Sequence, residues 1–236
     1  MGRRALRKID PELDLTGYLW RFEDLPRPWN PVSIFDRIAP LEVEVGSGKG
    51  MFLCQAAMAN LQHDFLGIEI ASKYARFTAS RLAKLGLPNA AIVLGDALRV
   101  FAEIFPENAI DTVHIYFPDP WWKKRHWKRR IIRPSFLADL YRSLKPGGIV
   151  HFWTDVQQYF EESRALFREG GFEEKWAISE LRAPSEAEGG PIPEGQPPPG
   201  YQTHFERRMR LQAVPIFKAI FQKPQQTPAE SGSSAN

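Results

Sequence analysis

Two short stretches hold the residues best suited to chemistry. In the first, Glu44 stands two residues ahead of the glycine turn Gly46-Ser47-Gly48-Lys49-Gly50. In the second, Asp119 is set between Pro118 and Pro120. It opens a segment with Trp121, Trp122 and Trp127 and with Lys123, Lys124, Arg125, Lys128, Arg129 and Arg130.

A glycine turn after a strand lets the backbone approach a ligand closely. A dinucleotide fingerprint, GxGxxG, would put its third glycine one residue later than Gly50. Glu44 also argues against a pyrophosphate, which its carboxylate would repel. The same carboxylate would attract an ammonium or a sulfonium. S-adenosylmethionine carries both, so the seat around Glu44, Gly46 and Gly48 suits that cofactor better than NAD. Glu69 lies at the end of the next strand, where an acid takes ribose hydroxyls. Asp96, in Leu94-Gly95-Asp96-Ala97, can accept from an adenine amino group. The plainer alternative is a structural turn with surface carboxylates nearby.

Proline fixes φ and bars helix, so Pro118 and Pro120 hold Asp119 in a stiff extended turn. Such a carboxylate suits a residue that must point into a site. Amine-directed nucleic-acid methyltransferases have an Asp/Asn-Pro-Pro-aromatic turn at this place. Here Asp119-Pro120-Trp121 lacks the second proline, which fits a target atom other than an exocyclic amine. Tryptophans stack on unpaired bases and Lys/Arg side chains neutralise phosphates, so the segment reads as an RNA-binding surface. Trp121 is expected to pack against the protein. His126 can serve as an acid or base, or contact a phosphate. A solvated charged face is the bland alternative.

These residues need elements to position them. Strands are expected at Leu41–Val45, Asp64–Ile70, Ala91–Leu94, Asp111–Phe117 and Ile149–Thr154. Helices are expected over 50–60, 72–85, 97–104, 133–144 and 156–169. Alternation of this kind predicts βαβ units and a mostly parallel sheet with helices on both faces. Ligands then sit beyond the carboxyl ends of the strands. Each such end offers a carboxylate: Glu44, Glu69, Asp96, Asp119 and Asp155. Residues 1–40 read as a basic, irregular segment and 41–222 as the main domain. A Pro/Gly-rich mobile loop is expected over 183–200, a long edge strand over Thr203–Phe217, and a disordered tail over 223–236.

The 236 residues are 43% hydrophobic and 25% charged, an ordinary globular balance. The net charge is only +3, yet residues 121–133 carry seven Lys/Arg and no acid. That local field suits a polyanion. One cysteine, Cys54, excludes an intramolecular disulfide and reads as a core residue. No apolar run approaches a membrane span, and no apolar segment follows the basic start, so a cytoplasmic protein is the default. No metal-ligand spacing is present. A monomer and a homodimer both remain open.

Taken together, Leu41–Gly50, Gly67-Ile68-Glu69, Gly95-Asp96-Ala97, Phe117–Arg130, Thr154-Asp155 and Thr203-His204-Phe205-Glu206 resemble the bacterial tRNA (guanine-N7-)-methyltransferase family. The likeness runs from residue 41 to about 210. It implies a Rossmann-like class I methyltransferase fold and methyl transfer from S-adenosylmethionine to a guanine in the tRNA variable loop. It implies that Glu44, Glu69, Asp96 and Asp119 bind the cofactor and that Asp119 is also catalytic. Lys123, Asp155, Thr203, His204, Phe205 and Glu206 would touch the substrate. The expected RNA contacts are Arg125, His126, Trp127, Lys128, Arg129 and Arg130. The stretch 183–200 is longer than the family's loop. Alternatives are methylation of another RNA base or of protein, and a non-catalytic RNA-binding module.

Overall fold

The structure, a computed structural model, describes residues 6, 8–180, 203, 205–206, 209, 212 and 214–225. The expected loop over 183–200, most of the expected tail and His204 lie outside the described residues. The strands are β1 (Leu19–Arg21), β2 (Leu41–Val45), β3 (Asp64–Glu69), β4 (Ala90–Leu94), β5 (Ile110–Tyr116), β6 (Leu144–Thr154), β7 (Glu173–Glu180) and β8 (Ile216–Gln222). The helices are α1 (Val32–Phe35), α2 (Met51–Ala59), α3 (Ser72–Leu85), α4 (Ala97–Glu103), α5 (Pro134–Ser143) and α6 (Gln157–Glu169). Short 3-10 turns occupy Phe22–Asp24 and Lys124–Arg129.

All eight strands form one sheet in the order β1-β4-β3-β2-β5-β6-β8-β7. Strands β1 to β6 pair in parallel, and β8 runs antiparallel to both its neighbours. Period-2 alternation sorts the side chains of β2 to opposite faces. Leu41, Val43 and Val45 join the main core with Phe101, Phe136, Phe160 and Phe167 from α4, α5 and α6. Glu42 and Glu44 therefore face the α2 side. A second core there joins Leu53, Cys54 and Ala57 of α2 to Ala75, Ala79 and Leu82 of α3, against Phe65 and Ile92. Helices thus cover both faces. Each fully buried Phe or Leu contributes about 1.5–3 kcal/mol, so the paired cores hold the central strands rigidly.

Three expectations change. Residues 19–21, read as irregular, add the parallel edge strand β1 beside β4. Three residues are too few for periodicity to register. Helix α5 stops at Ser143, and Lys145-Pro146-Gly147-Gly148 already belongs to β6, with a register shift against β5 between Ile110 and Thr112. Among the described residues of 203–217, the expected edge strand is confined to the last two. Phe205, Glu206 and Met209 are helical, and strand begins only at Ile216. Pro215 cannot donate to a ladder, so it marks the border. β8 also lies inside the sheet, between β6 and β7, and not at its edge. Among the described residues no helix is long and apolar enough to cross a membrane.

Candidate active site

The carboxyl ends of β2 to β6 share one edge of the sheet, because those strands are parallel. Chain order reverses between β2 and β5, which makes that junction the switch point where ligands bind. Glu44 and its turn, Glu69, Asp96, Asp119 and Asp155 all come from that edge.

The turn after β2 has positive φ at Gly46, Gly48 and Gly50, at 79°, 54° and 63°. Side chains rarely adopt that region, and a Cβ at Gly50 would also lie 2.3 Å from Thr78. Hydrogen bonds clamp the turn on two sides. Gly46 N–H donates to the Ile68 carbonyl at 2.8 Å, and Thr78 Oγ1 to the Gly48 carbonyl at 3.0 Å. Gly48 N–H donates to Glu69 Oε2 at 2.8 Å, while Ala71 N–H donates to Glu69 Oε1 at 2.8 Å. Glu69 is therefore a fixed carboxylate with a lone pair left on each oxygen. Asp96 caps α4, its Oδ1 accepting from Leu98 N–H at 2.9 Å.

Glu44 differs. It is buried, and neither its Oε2 nor Ser47 Oγ has a hydrogen-bond partner. Burial pushes its carboxyl up to about 8; the nearby Ser47 hydroxyl offsets part of this, and the Glu69 charge adds to it. An orphaned buried acceptor is costly. A ligand ammonium would satisfy it and favour its ionised form. The residues present thus fit S-adenosylmethionine, whose amino-acid end carries that charge.

Below Glu44 the same sheet face carries a polar chain, part-buried at Glu42 and His63 and buried at His114. Glu42 accepts from or shares protons with His63 Nδ1 at 2.7 Å and His114 Nε2 at 2.6 Å. His114 Nδ1 lies 2.9 Å from the Tyr116 hydroxyl, and the His114 ring stacks on His151 at 5.0 Å. Burial raises the Tyr116 hydroxyl well above its ordinary range, and the charges of Glu44, Glu42 and Glu206 add to it. Tyr116 thus stands where these carboxylates converge. Sequence reasoning misses this chain, although the placement of Glu42 and Glu44 on one strand face is the available signal.

After β5 the backbone is strained. Phe117 has φ 50° and Trp121 φ 44°, both uncommon for bulky side chains. Between them Asp119 is exposed. The following segment folds back on itself. Trp121 meets the His126 ring edge-on at 5.6 Å, and Arg129 lies over it at 5.0 Å. Trp121 is half-buried, as expected, while Trp122 and Trp127 are 67% and 40% exposed. Lys123, Arg125, Lys128 and Arg129 are exposed.

The helical turn near residue 205 reaches the same place. The Phe205 ring packs on Phe117 at 4.8 Å. Thr203 Oγ1 accepts from Glu206 N–H at 2.9 Å, and Glu206 is fully buried with Lys218 Nζ 3.6 Å from its Oε1. Lys218 also lies over Trp153 at 4.1 Å. Asp155 follows β6, half-buried. Among the described residues no three His, Cys, Asp or Glu side chains are grouped to hold a metal ion.

Comparison with known proteins bears on this geometry. A family model described as "Putative methyltransferase" matches residues 38–218. A tRNA (guanine-N(7)-)-methyltransferase of Rhodopirellula baltica is 42% identical over 94% of this chain and 80% of its own length. The chain belongs to the tRNA (guanine-N(7)-)-methyltransferase family. The Alcanivorax borkumensis member is 36% identical over 82% of this chain and 77% of its own. Two solved structures share the fold. An antibiotic-related methyltransferase superposes with TM-score 0.58 at 16% identity, covering 81% of this chain and 92% of its own. A SAM-dependent methyltransferase from Aquifex aeolicus gives 0.53 at 12%, covering 82% and 92%. The fold is thus the Rossmann-like class I methyltransferase fold, with β1 at the sheet edge beside β4. In this member of the tRNA (guanine-N(7)-)-methyltransferase family, Phe205 meets Phe117 at the end of β5 although 88 residues separate the two in sequence.

Proposed function

We propose that this chain transfers a methyl group from S-adenosylmethionine to N7 of a guanine in the variable loop of tRNA. The observation that carries this reading is a juxtaposition. A buried carboxylate with one oxygen left unbonded and an exposed carboxylate between two prolines rise from neighbouring strands, β2 and β5. The first seeks a cation, and the second borders an aromatic and basic surface.

S-adenosylmethionine supplies an electrophilic methyl on a sulfonium sulfur. Glu44 would hold its ammonium, and Gly46 and Gly48 would let the backbone come close. Glu69 keeps two lone pairs for the ribose hydroxyls, and the free oxygen of Asp96 faces the task of taking the adenine amino group. Asp119 would border both the cofactor and the base. Guanine N7 bears a lone pair and no proton, so the chain needs no general base. Its work is orientation and charge stabilisation. Asp119 can accept from the N1–H and N2–H donors of guanine and favour the cation that develops on the ring. Lys123, Asp155 and the Thr203–Glu206 turn would line the nucleotide. His126, Trp127 and the exposed cations Arg125, Lys128 and Arg129 would meet the RNA backbone and unpaired bases. Residues 41–222 would form the catalytic domain.

The test is incubation with unmodified tRNA and labelled cofactor, followed by nucleoside mapping. The label should appear in 7-methylguanosine from the variable loop. A label in another nucleoside or in protein would redirect the assignment, and tRNA binding without transfer would leave only an RNA-binding module.

A further inference from the structure

Arg130 stands in the basic run, and sequence alone groups it with the RNA contacts. Its surroundings say otherwise. Its side chain is only 13% exposed, whereas Arg125, Lys128 and Arg129 are exposed. Its Nε donates to the Pro120 carbonyl at 2.7 Å. A terminal nitrogen donates to Glu162 Oε2 of α6 at 2.5 Å. The guanidinium also lies 4.7 Å from the Trp127 ring centre and 4.8 Å from that of Tyr159. Tyr159 is buried in α6, close enough to Asp119 for that charge to help hold its hydroxyl up at about 12, after burial and beside Glu162.

We propose that Arg130 is the positioning residue of the Asp119 turn, tying Pro120 to helix α6, and not a phosphate contact. The turn needs such a tie. Phe117 and Trp121, at its two ends, hold positive φ, and residues in that region persist only where their surroundings over-determine them. Proline at 118 and 120 removes two N–H donors, so the turn has little means of bonding itself. Arg130 supplies the missing donor from outside. Its two arms are set at a fixed angle, so Pro120 is located relative to Glu162 and α6. Lysine has one donor atom and cannot span both partners in that geometry. The inference rests on the reading that Asp119 acts on the guanine.

The experiment is single-turnover methyl transfer with both substrates saturating, on Arg130→Lys and Arg130→Ala, each alone and combined with Asp119→Asn. Misplacing a reacting group by about 1 Å costs roughly a hundredfold. Arg130→Lys should therefore lose on that order in rate. Its cofactor affinity, tRNA affinity and salt slope should stay at wild-type values. Added methylguanidinium should restore part of the rate to Arg130→Ala and none to Arg130→Lys. In the double variants the loss should not exceed that of Asp119→Asn alone. If Arg130→Ala fails to fold, Glu162→Gln loosens the same tie from the other side and should lower rate without changing tRNA affinity. A wild-type rate in Arg130→Lys overturns the proposal. So does a salt slope reduced by roughly 0.7–0.9, the signature of one phosphate no longer neutralised. A full additional loss on top of Asp119→Asn overturns it as well. A wild-type rate in Asp119→Asn instead overturns the role of Asp119, and so is distinguishable from each of these.

Discussion

The glycine turn after β2 and the proline turn after β5 are neighbours built on opposite plans. The first is clamped from the sheet and from α3: Glu69 and the Ile68 carbonyl hold it from β3 and Thr78 from the helix, and its carboxylates are buried. The second exposes its carboxylate, is strained at Phe117 and Trp121, and is fastened to α6 through the Arg130 guanidinium. A seat for a small cofactor gains from being formed before the ligand arrives. A surface that takes in a folded RNA must stay open, so its rigidity has to come from behind.

The comparison is broken most sharply at Asp119. Asp119→Asn keeps the shape but loses the charge and places a donor where an acceptor is wanted. Single-turnover transfer should fall about a hundredfold or more, the scale of losing one group that stabilises developing charge. Affinity for tRNA, held by phosphate contacts, should change little. A near-wild-type rate would move suspicion to Asp155 or Glu206.

Glu69→Ala should give the converse result. Charged hydrogen bonds contribute roughly 1.5–3 kcal/mol each; this residue holds the Gly48 and Ala71 amides and, on the proposed reading, the ribose as well. Calorimetry should show cofactor binding weakened by well over tenfold at unchanged tRNA affinity. Equal loss of both affinities would mean that the two turns are not separable.

A smaller effect is expected when Arg125 and Lys128 are both replaced by alanine. The tRNA salt slope should flatten by roughly 0.7–0.9 for each phosphate left without its cation, with cofactor affinity intact. An unchanged slope would reduce the basic run to a solvated surface.

The smallest effect tests the buried acid. With its carboxyl at about 8, Glu44 in the free protein is mostly protonated at pH 7. Capture of an ammonium ionises it, so binding should release close to one proton. Cofactor affinity should rise with pH until about 8. Calorimetry in buffers of contrasting ionisation heat reads the released proton, and Glu44→Gln should abolish it. The same shift acts on stability. The unfolded carboxyl ionises near 4.5 and the folded one near 8, so this contribution is fully present below 4.5 and fades as pH rises to 8.

Much of this is legible in the sequence, for identifiable reasons. The strands β2 to β6 and the helices between them announce themselves through apolar runs stopped by glycine and proline, and the ligand edge follows from their parallel order. The stretch over 203–209 reads as strand only while its apolar residues are counted for composition. The spacing from Phe205 to Met209 is four residues, a helical interval. Arg130 cannot be told from its neighbours by sequence, since its partner Glu162 lies 32 residues away on α6. Nor can any local pattern show that Glu44 keeps an unbonded buried oxygen while Glu42, two residues before it, bonds through both of its oxygens.

The place of β8 has a consequence for how the chain comes into being. Among the described residues the last strand in sequence, β8, lies between β6 and β7, which are made before it. A ribosome releasing this chain from its N-terminus exposes β6 as an open, apolar edge until residues 216–222 emerge. Phe221, which stacks on Phe167 at 4.1 Å, is among the side chains that close it. The helical turn bearing Phe205 and Glu206 comes just ahead of that strand, and Lys218 within it pairs with Glu206. A chain cut short before β8 therefore lacks Lys218, which pairs with Glu206, and leaves β6 without its antiparallel neighbour.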